Sequence, residues 1–379
     1  MRRRTFVKDL TFLASVGSGL PRSFPFRTTN SPSDDITATD IPRWRGFNLQ
    51  GRFAWPGHPY DGPAFDEFDF ATMAEWKFDF ARLPLSYWVW GNRDDWTVIR
   101  EEPLKQVDRA VDLGKQHGIH ININFHRIPG YCINQRELEP ADLFTGTKPQ
   151  REKALSAAKL HWQVFARRYK GIPNRQLSFD LINEPPKMRT YEGALEERYV
   201  EIVNALVGAI REIDAGRLIF ADGMNIGQAP VVGIADLGLV QSTRGYQPKA
   251  VSHYTATWVP KDEFETLNPP TWPLTDDHGQ IWDRAHLQQV YVDLYKEITE
   301  KGVQVHVGEW GCFNKTPHEV ALAWMADCLA VWKQARWGNA LWNLRGSFGV
   351  MDSQRADVKY EDFKSHKLDR KMLELLLNA

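Results

Sequence analysis

The sequence predicts an α/β fold, a single-domain (β/α)8 TIM barrel, on three observations. Short apolar runs of strand length alternate with helical stripes from Trp44 to the C-terminus. Two of those runs end on a glutamate: Leu177-Ser178-Phe179-Asp180-Leu181-Ile182-Asn183-Glu184, stopped by Pro185-Pro186, and Val303-Gln304-Val305-His306-Val307-Gly308-Glu309. Neither an internal repeat nor a second domain is visible, and one domain of this length can bury a large core.

The elements follow in order. Arg45 to Leu49 reads as the first strand, Phe70 to Trp76 as a helix, and Phe78 to Leu83 as the second strand, closed by Pro84. Leu104, Val107, Val111 and Leu113 form a helical stripe that runs to His117 and stops at Gly118. His120 to Phe125 is the third strand, and Arg151 to Tyr169 a helix after a longer loop. Leu177 onward is the fourth strand, Glu196 to Ile213 a helix, and Leu218 to Ala221 the fifth strand, ending at Asp222-Gly223. Ala250 to Tyr254 is expected as the sixth strand. The stretch Thr255 to Asp283, with Trp258 and Trp272, is too long for a plain connector and reads as a functional loop. His286 to Thr299 is a helix, Val303 to Val307 the seventh strand, His318 to Ala335 a helix, Asn339 to Leu344 the eighth strand, and Lys367 to Leu377 a closing helix.

Composition narrows the class. The 379 residues are 42% hydrophobic, and 47 Lys+Arg against 48 Asp+Glu leave no basic surplus, which argues against nucleic-acid binding. Fifteen tryptophans are a heavy load. Most are expected in the core, but Trp310 and Trp342 follow strands, and Trp88, Trp90, Trp96, Trp258 and Trp272 fall in polar loops, where indole faces suit the apolar faces of sugar rings. The three cysteines, Cys132, Cys312 and Cys328, form neither a disulfide framework nor a metal-ligand spacing, so buried free thiols are expected. No cofactor and no metal is expected.

Residues 1–40 are set apart from the catalytic domain, 41–379. Arg3-Arg4-Thr5-Phe6-Val7-Lys8 resembles a twin-arginine export motif, followed by a weakly apolar stretch from Leu10 to Leu20 that is too short to span a membrane. Residues 21–40, rich in Pro, Ser, Thr and Asp, read as a tether. The expectation is a periplasmic or extracellular protein without an integral membrane segment in its mature form. The oligomeric state is left open.

Residues at the C-terminal strand ends of such a barrel share one face, where its active sites lie. Collected there are Arg82, His126, Asn183, Glu184, His253, Tyr254, Glu309 and Trp342. Two glutamates at strand ends are what a double-displacement glycosidase needs: one carboxyl keeps a proton for the leaving oxygen, the other attacks the anomeric carbon. The set resembles glycoside hydrolase family 5, over roughly Trp44 to Asp352. The resemblance rests on Phe80-Ala81-Arg82-Leu83-Pro84, His126 after a strand, Asn183-Glu184-Pro185 and Gly308-Glu309-Trp310-Gly311.

That resemblance implies a retaining β-glycoside hydrolase with Glu184 as acid/base and Glu309 as nucleophile. It further implies Asn183 on the substrate 2-hydroxyl, Arg82 holding Glu309, His126 on sugar hydroxyls and Trp342 as the floor under the reacting sugar. The implied substrate is an oligo- or polysaccharide, with an endo-β-1,4-glucanase (cellulase-like) activity first. An exo-acting glycosidase on short or decorated glycans and a catalytically silent carbohydrate-binding barrel are the alternatives. The family commonly carries His, any residue, Tyr after strand six, the tyrosine bonding the nucleophile. Ser252-His253-Tyr254-Thr255 does not fit that spacing, so which of the four fills those roles stays open.

Overall fold

The computed structural model describes residues 35–54, 65–133, 138–187, 194–259 and 268–379. The twin-arginine-like motif lies outside them. Eight parallel strands ring the axis: β1 (Arg45–Asn48), β2 (Phe80–Ser86), β3 (His120–Ile128), β4 (Leu177–Asp180), β5 (Ile219–Asp222), β6 (Val240–Gly245), β7 (Val305–Trp310) and β8 (Gly338–Leu341). Each pairs with its successor in the chain, and β8 returns to β1 through Arg45↔Asn339 and Phe47↔Leu341, which closes the (β/α)8 barrel. Closure leaves the barrel without free strand edges.

Helices form the outer layer: α1 (Glu67–Glu75), α2 (Glu101–His117), α3 (Lys148–Arg168), α4 (Ala194–Arg211), α5 (Arg284–Tyr291), α6 (His318–Gln334) and α7 (Arg370–Leu377). Their ends follow local chemistry. The Asp66 carboxylate caps α1 by accepting from the Phe68 N–H, and Gly118 ends α2 at φ 69°, donating to the Gly114 carbonyl. Between helices and strands lies a continuous apolar layer, in which Phe125 stacks on Trp162 at 3.8 Å.

The axis near the N-terminal strand ends is plugged by Trp44, Phe80, Leu218, Phe220, Val240 and Ala340, with Ile36, Ala38 and Ile41 packed beneath. Residues 35–40, placed by the sequence reading in the tether, therefore lie against the barrel base, and Asp35 accepts from the Asn174 backbone N–H at 3.0 Å. His120 stacks on Trp44 at 3.8 Å and meets the Ser178 hydroxyl at 2.7 Å. Burial drives both His120 and His306 down to a pKa of about 3, so this end holds neutral imidazoles.

Two expectations are corrected. Pro84 does not close the second strand; it sits inside β2, in register with Asn124. Arg82 and Ser86, on the same side of β2, bond to Leu49 and Arg52, beyond the last residue of β1. The donor that proline lacks would therefore have met no strand. The sixth strand is not Ala250–Tyr254: β6 is Val240–Gly245, and Lys249–Ser252 is one helical turn. The residues of β6 are all buried although only Val240 is aliphatic, because Gln241 bonds both backbone groups of Val231 and the Arg244 guanidinium enters an ionic network.

Candidate active site

The C-terminal strand ends gather six charged side chains, all buried except Glu184, whose side chain is 14% exposed. Arg82 on β2 is 1% exposed and spends its donors on four acceptors. Nε meets Asp180 at 2.9 Å, Nη1 meets Asn48 Oδ1 at 3.1 Å and Glu309 Oε1 at 2.6 Å, and Nη2 meets Asn183 Oδ1 at 2.9 Å. Arg244 on β6 lies alongside. It grips both oxygens of Asp222, reaches Glu184 Oε1 at 3.2 Å and Glu309 Oε1 at 3.4 Å, and gives Asn183 Oδ1 a second donor at 2.8 Å. One guanidinium thus touches both glutamates.

The backbone aims the two carboxyls. In β7 the register shifts between Val307 and Glu309, a bulge that re-aims the strand end. Gly308 is required there, since a Cβ would come 2.5 Å from Ser242 Oγ and 3.0 Å from Arg244 Nη1. Glu184 has φ 49°, a strained conformation for a residue with a side chain. It is pinned from both sides: its N–H donates to Asp222 Oδ2 at 2.8 Å and its carbonyl accepts from the Tyr131 hydroxyl at 2.6 Å.

The two glutamates differ electrically. Burial first, then the neighbouring Glu309 charge, raises Glu184 to a pKa of about 7, against the opposing pull of Arg244. Glu309 accepts from Arg82, and its other oxygen lies 3.4 Å from the Tyr246 hydroxyl. Burial and the two glutamates hold that phenol above its ordinary pKa, so it stays a donor. Asp180, lifted to about 6 by burial and by Asp222, completes the floor.

Two further polar atoms at the site, Asn183 Nδ2 and His126 Nδ1, have no hydrogen-bond partner among the described residues. Asn183 Oδ1 is fixed by two guanidinium donors, which settles the amide orientation and leaves Nδ2 buried with no hydrogen-bond partner. His126 Nδ1, 4.0 Å from Glu309 Oε1, is likewise unpaired. Burial and the nearby arginines keep His126 neutral. Trp342 stacks with the His126 ring at 5.7 Å and meets Phe53 edge-on at 5.5 Å, a half-buried aromatic wall beside these donors.

The structure thus brings Arg82, His126, Asn183, Glu184, Glu309 and Trp342 together. His253 and Tyr254 are displaced by the correction to strand six. His253 bonds Ser252 Oγ at 2.8 Å and packs edge-on to Tyr246 at 4.8 Å, behind the site. Tyr254 lies in the following turn, without a hydrogen bond or ring contact to either glutamate. Sequence reasoning missed Arg244, Tyr246 and the supporting roles of Asp180 and Asp222. The available signal was Arg244-Gly245-Tyr246, a tyrosine two residues beyond a polar side chain, hidden because its strand carries almost no apolar residue. Among the described residues no group of three His, Cys, Asp or Glu is arranged to hold a metal. All three cysteines are buried and outside any disulfide.

Fold and site together define an O-glycosyl hydrolase. The chain belongs to glycosyl hydrolase family 5: the family's description, Cellulase (glycosyl hydrolase family 5), matches residues 34–347. It is 24% identical to Cellodextrinase A of Ruminococcus flavefaciens over 74% of this chain and 79% of that protein. It is also 24% identical to Endoglucanase C of Acetivibrio thermocellus, over 78% of this chain and 90% of the relative. A solved structure described as a glycoside hydrolase aligns with a TM-score of 0.81 and 37% identity, covering 89% of this chain and 99% of its own.

Proposed function

We propose that this β-glycoside hydrolase is a retaining endo-β-1,4-glucanase, with Glu184 as acid/base and Glu309 as nucleophile. The observation that carries the assignment is the unequal setting of the two carboxyls: Glu309 is held by Arg82 and Tyr246, while Glu184 is pushed to about 7. Retaining enzymes keep their carboxyls about 5–5.5 Å apart. The guanidinium shared by Glu184 and Glu309 supports such closeness.

In the first step Glu309 attacks the anomeric carbon while Glu184 gives its proton to the departing glycosidic oxygen. The attack converts the Glu309 carboxylate to an ester and removes the charge that raised Glu184. Glu184, now ionised, takes a proton from water; the hydroxide equivalent attacks the same carbon, and Glu309 leaves as carboxylate. Asn183 Nδ2, without a hydrogen-bond partner among the described residues, is suited to the 2-hydroxyl, a bond that strengthens as the oxocarbenium character grows. Unpaired His126 Nδ1 serves a neighbouring hydroxyl, and the Trp342 indole lies under the ring.

The β-1,4-glucan assignment draws on the relatives, named as an endoglucanase and a cellodextrinase. The test is product analysis over soluble β-glucans, mannans and aryl glycosides, with chain lengths and the anomer followed by NMR. Mixed internal cleavage of β-1,4-glucan with the β-anomer formed first is the expected result. An inverted first product would end the double-displacement reading, and release of one short product from a chain end would replace endo by exo action. Export through Arg3-Arg4 belongs to the same proposal. Replacing both with lysine should leave active enzyme in the cytoplasm, and undiminished export would remove the motif from the account.

A further inference from the structure

Once strand six is placed, the residues standing where the family commonly has His, any residue, Tyr are Arg244-Gly245-Tyr246. The tyrosine is present and reaches Glu309. The histidine is not; a fully buried arginine takes its place, and its surroundings are shaped to hold it. A Cβ on Gly227 would come 2.8 Å from Arg244 Cγ, and one on Gly308 would come 3.0 Å from Nη1. Ser242 Oγ and the Thr243 carbonyl lie 3.2 and 3.3 Å from Nη1, so every face of the guanidinium has a partner.

The pairing with Asp222 makes this substitution informative. Asp222 receives Arg244 through both oxygens and, through Oδ2, the strained backbone N–H of Glu184 as well. Arg244 in turn meets the Glu184 side chain. Asp222 and Arg244 therefore hold Glu184 at two points, main chain and carboxyl. We propose that the Arg244–Asp222 pair is a positioning device that fixes Glu184 and sets where on the pH scale that residue keeps its proton. The inference rests on the acid/base reading of Glu184 for its catalytic consequence, though not for its structural one.

The physical reasoning turns on permanence. Arginine does not give up its charge in proteins, whereas histidine changes charge near neutrality. A fixed cation beside Glu184 favours the carboxylate, against the needs of a proton donor, and the Asp222 carboxylate offsets it. Glu184 is faced by Arg244 from β6, Glu309 from β7 and Asp222 from β5. Tyr246, whose phenol feels both glutamates, and Tyr131, whose hydroxyl bonds the Glu184 carbonyl, face it as well, and Asp180, Arg82 and neutral His126 stand behind these. Removing either half of the pair should thus move Glu184 in opposite directions.

The full-length enzyme with 13C-labelled glutamate carboxyls provides the direct test, the Glu184 signal being identified by its loss in Glu184→Gln. Arg244→Met should raise the Glu184 titration by about one pH unit or more, and Asp222→Asn should lower it by a similar amount. The alkaline limb of kcat/KM on oligosaccharide should move with each. The double variant Arg244→Met/Asp222→Asn, which buries no unmatched charge, should return toward wild type and guards against a single variant that fails to fold. Shifts of the same sign, or none in folded protein, overturn the proposal. Opposite NMR shifts with an unmoved rate limb leave the pair's hold on Glu184 standing and overturn the acid/base reading instead.

Discussion

At the N-terminal end of the barrel the axis is filled by His120 and His306 among Trp44, Phe80 and Phe220; at the C-terminal end it is filled by Arg82, Arg244, Asp180, Asp222, Glu184 and Glu309. Both ends are buried, and both carry polar side chains. At the first, the two imidazoles on the axis are neutral; His120 stacks on Trp44 and bonds Ser178 and the Arg175 carbonyl, and the nearby Arg217 is spent on Asp214 and backbone carbonyls. At the second, two guanidiniums face four carboxyl groups. Desolvating such a network costs more than its Coulombic attraction guarantees, and apolar replacements of buried ion pairs are often as stable. The first end shows that the axis of this barrel can be filled with neutral side chains. The charge at the other end fits the proposed reaction, which needs two carboxyls in unequal settings.

Removing single groups from the charged end tests that contrast, and the largest effects fall on the two glutamates. Glu309→Ala should abolish turnover on every substrate by orders of magnitude, since no other described group lies placed to form the glycosyl-enzyme. Azide should restore activity with inverted product, because truncation opens space on the attacking face. Glu184→Ala should separate substrates instead. Aryl glycosides with good leaving groups need little protonation, so their first step survives far better than that of glycans, and azide yields retained product. Equal losses on good and poor leaving groups, without rescue, would sink the division of roles.

A smaller effect is expected at the rim of the same face. Of the five loop tryptophans singled out by the sequence, Trp88, Trp90 and Trp96 are buried and Trp272 is tied to Asp327, but Trp258 is 52% exposed. Its ring is propped edge-on by Phe313 at 4.9 Å and by His253 at 6.3 Å. Through His253 and Tyr246 that support continues to Glu309. An exposed indole propped in this way suits a sugar unit beyond the cleaved bond. Trp258→Ala should lower kcat/KM on long oligosaccharides roughly 3- to 10-fold, the worth of one aromatic contact. Short aryl glycosides should be nearly unaffected; an equal loss on both would mark Trp258 as a support for the catalytic floor.

The sequence made the charged end legible wherever a motif coincided with a strand end. Arg82, Asn183-Glu184 and Glu309 stand at the close of apolar runs, where alternation and proline stops locate the barrel mouth. It was silent on Arg244 and Tyr246 for the same reason that they matter. A strand whose inward residues serve an ionic network, Val240-Gln241-Ser242-Thr243-Arg244-Gly245, loses the apolar signature by which strands are recognised, and the apolar Ala250-Val251 nearby drew the assignment instead. Pro84 misled in the opposite sense. A proline stops a strand only where a neighbour needs its N–H, and no single strand states where its neighbour ends.

The finest test compares the two ends through the pH dependence of stability. Glu184 titrates near 7 in the folded protein, above the value of about 4.3 expected in the unfolded chain. Below that unfolded value both states hold the proton and nothing is lost. As pH rises from about 4 to 7, the unfolded chain releases a proton the folded state retains, so folding is progressively disfavoured, and the cost is constant above. His120 and His306 act in the other direction. Their folded pKa of about 3 lies below the ordinary value near 6.5, so they cost nothing above that value. As pH falls toward 3, the unfolded chain takes up protons that the folded state refuses. Glu184→Gln should therefore raise the Tm by a few degrees at pH 8 and leave it unchanged at pH 4. His120→Phe, whatever its pH-independent cost in lost hydrogen bonds, should flatten the fall in Tm between pH 7 and 4. Calorimetric scans across that range read both variants. If each shifted Tm by the same amount at every pH, the two ends would not differ in the way their titrations imply.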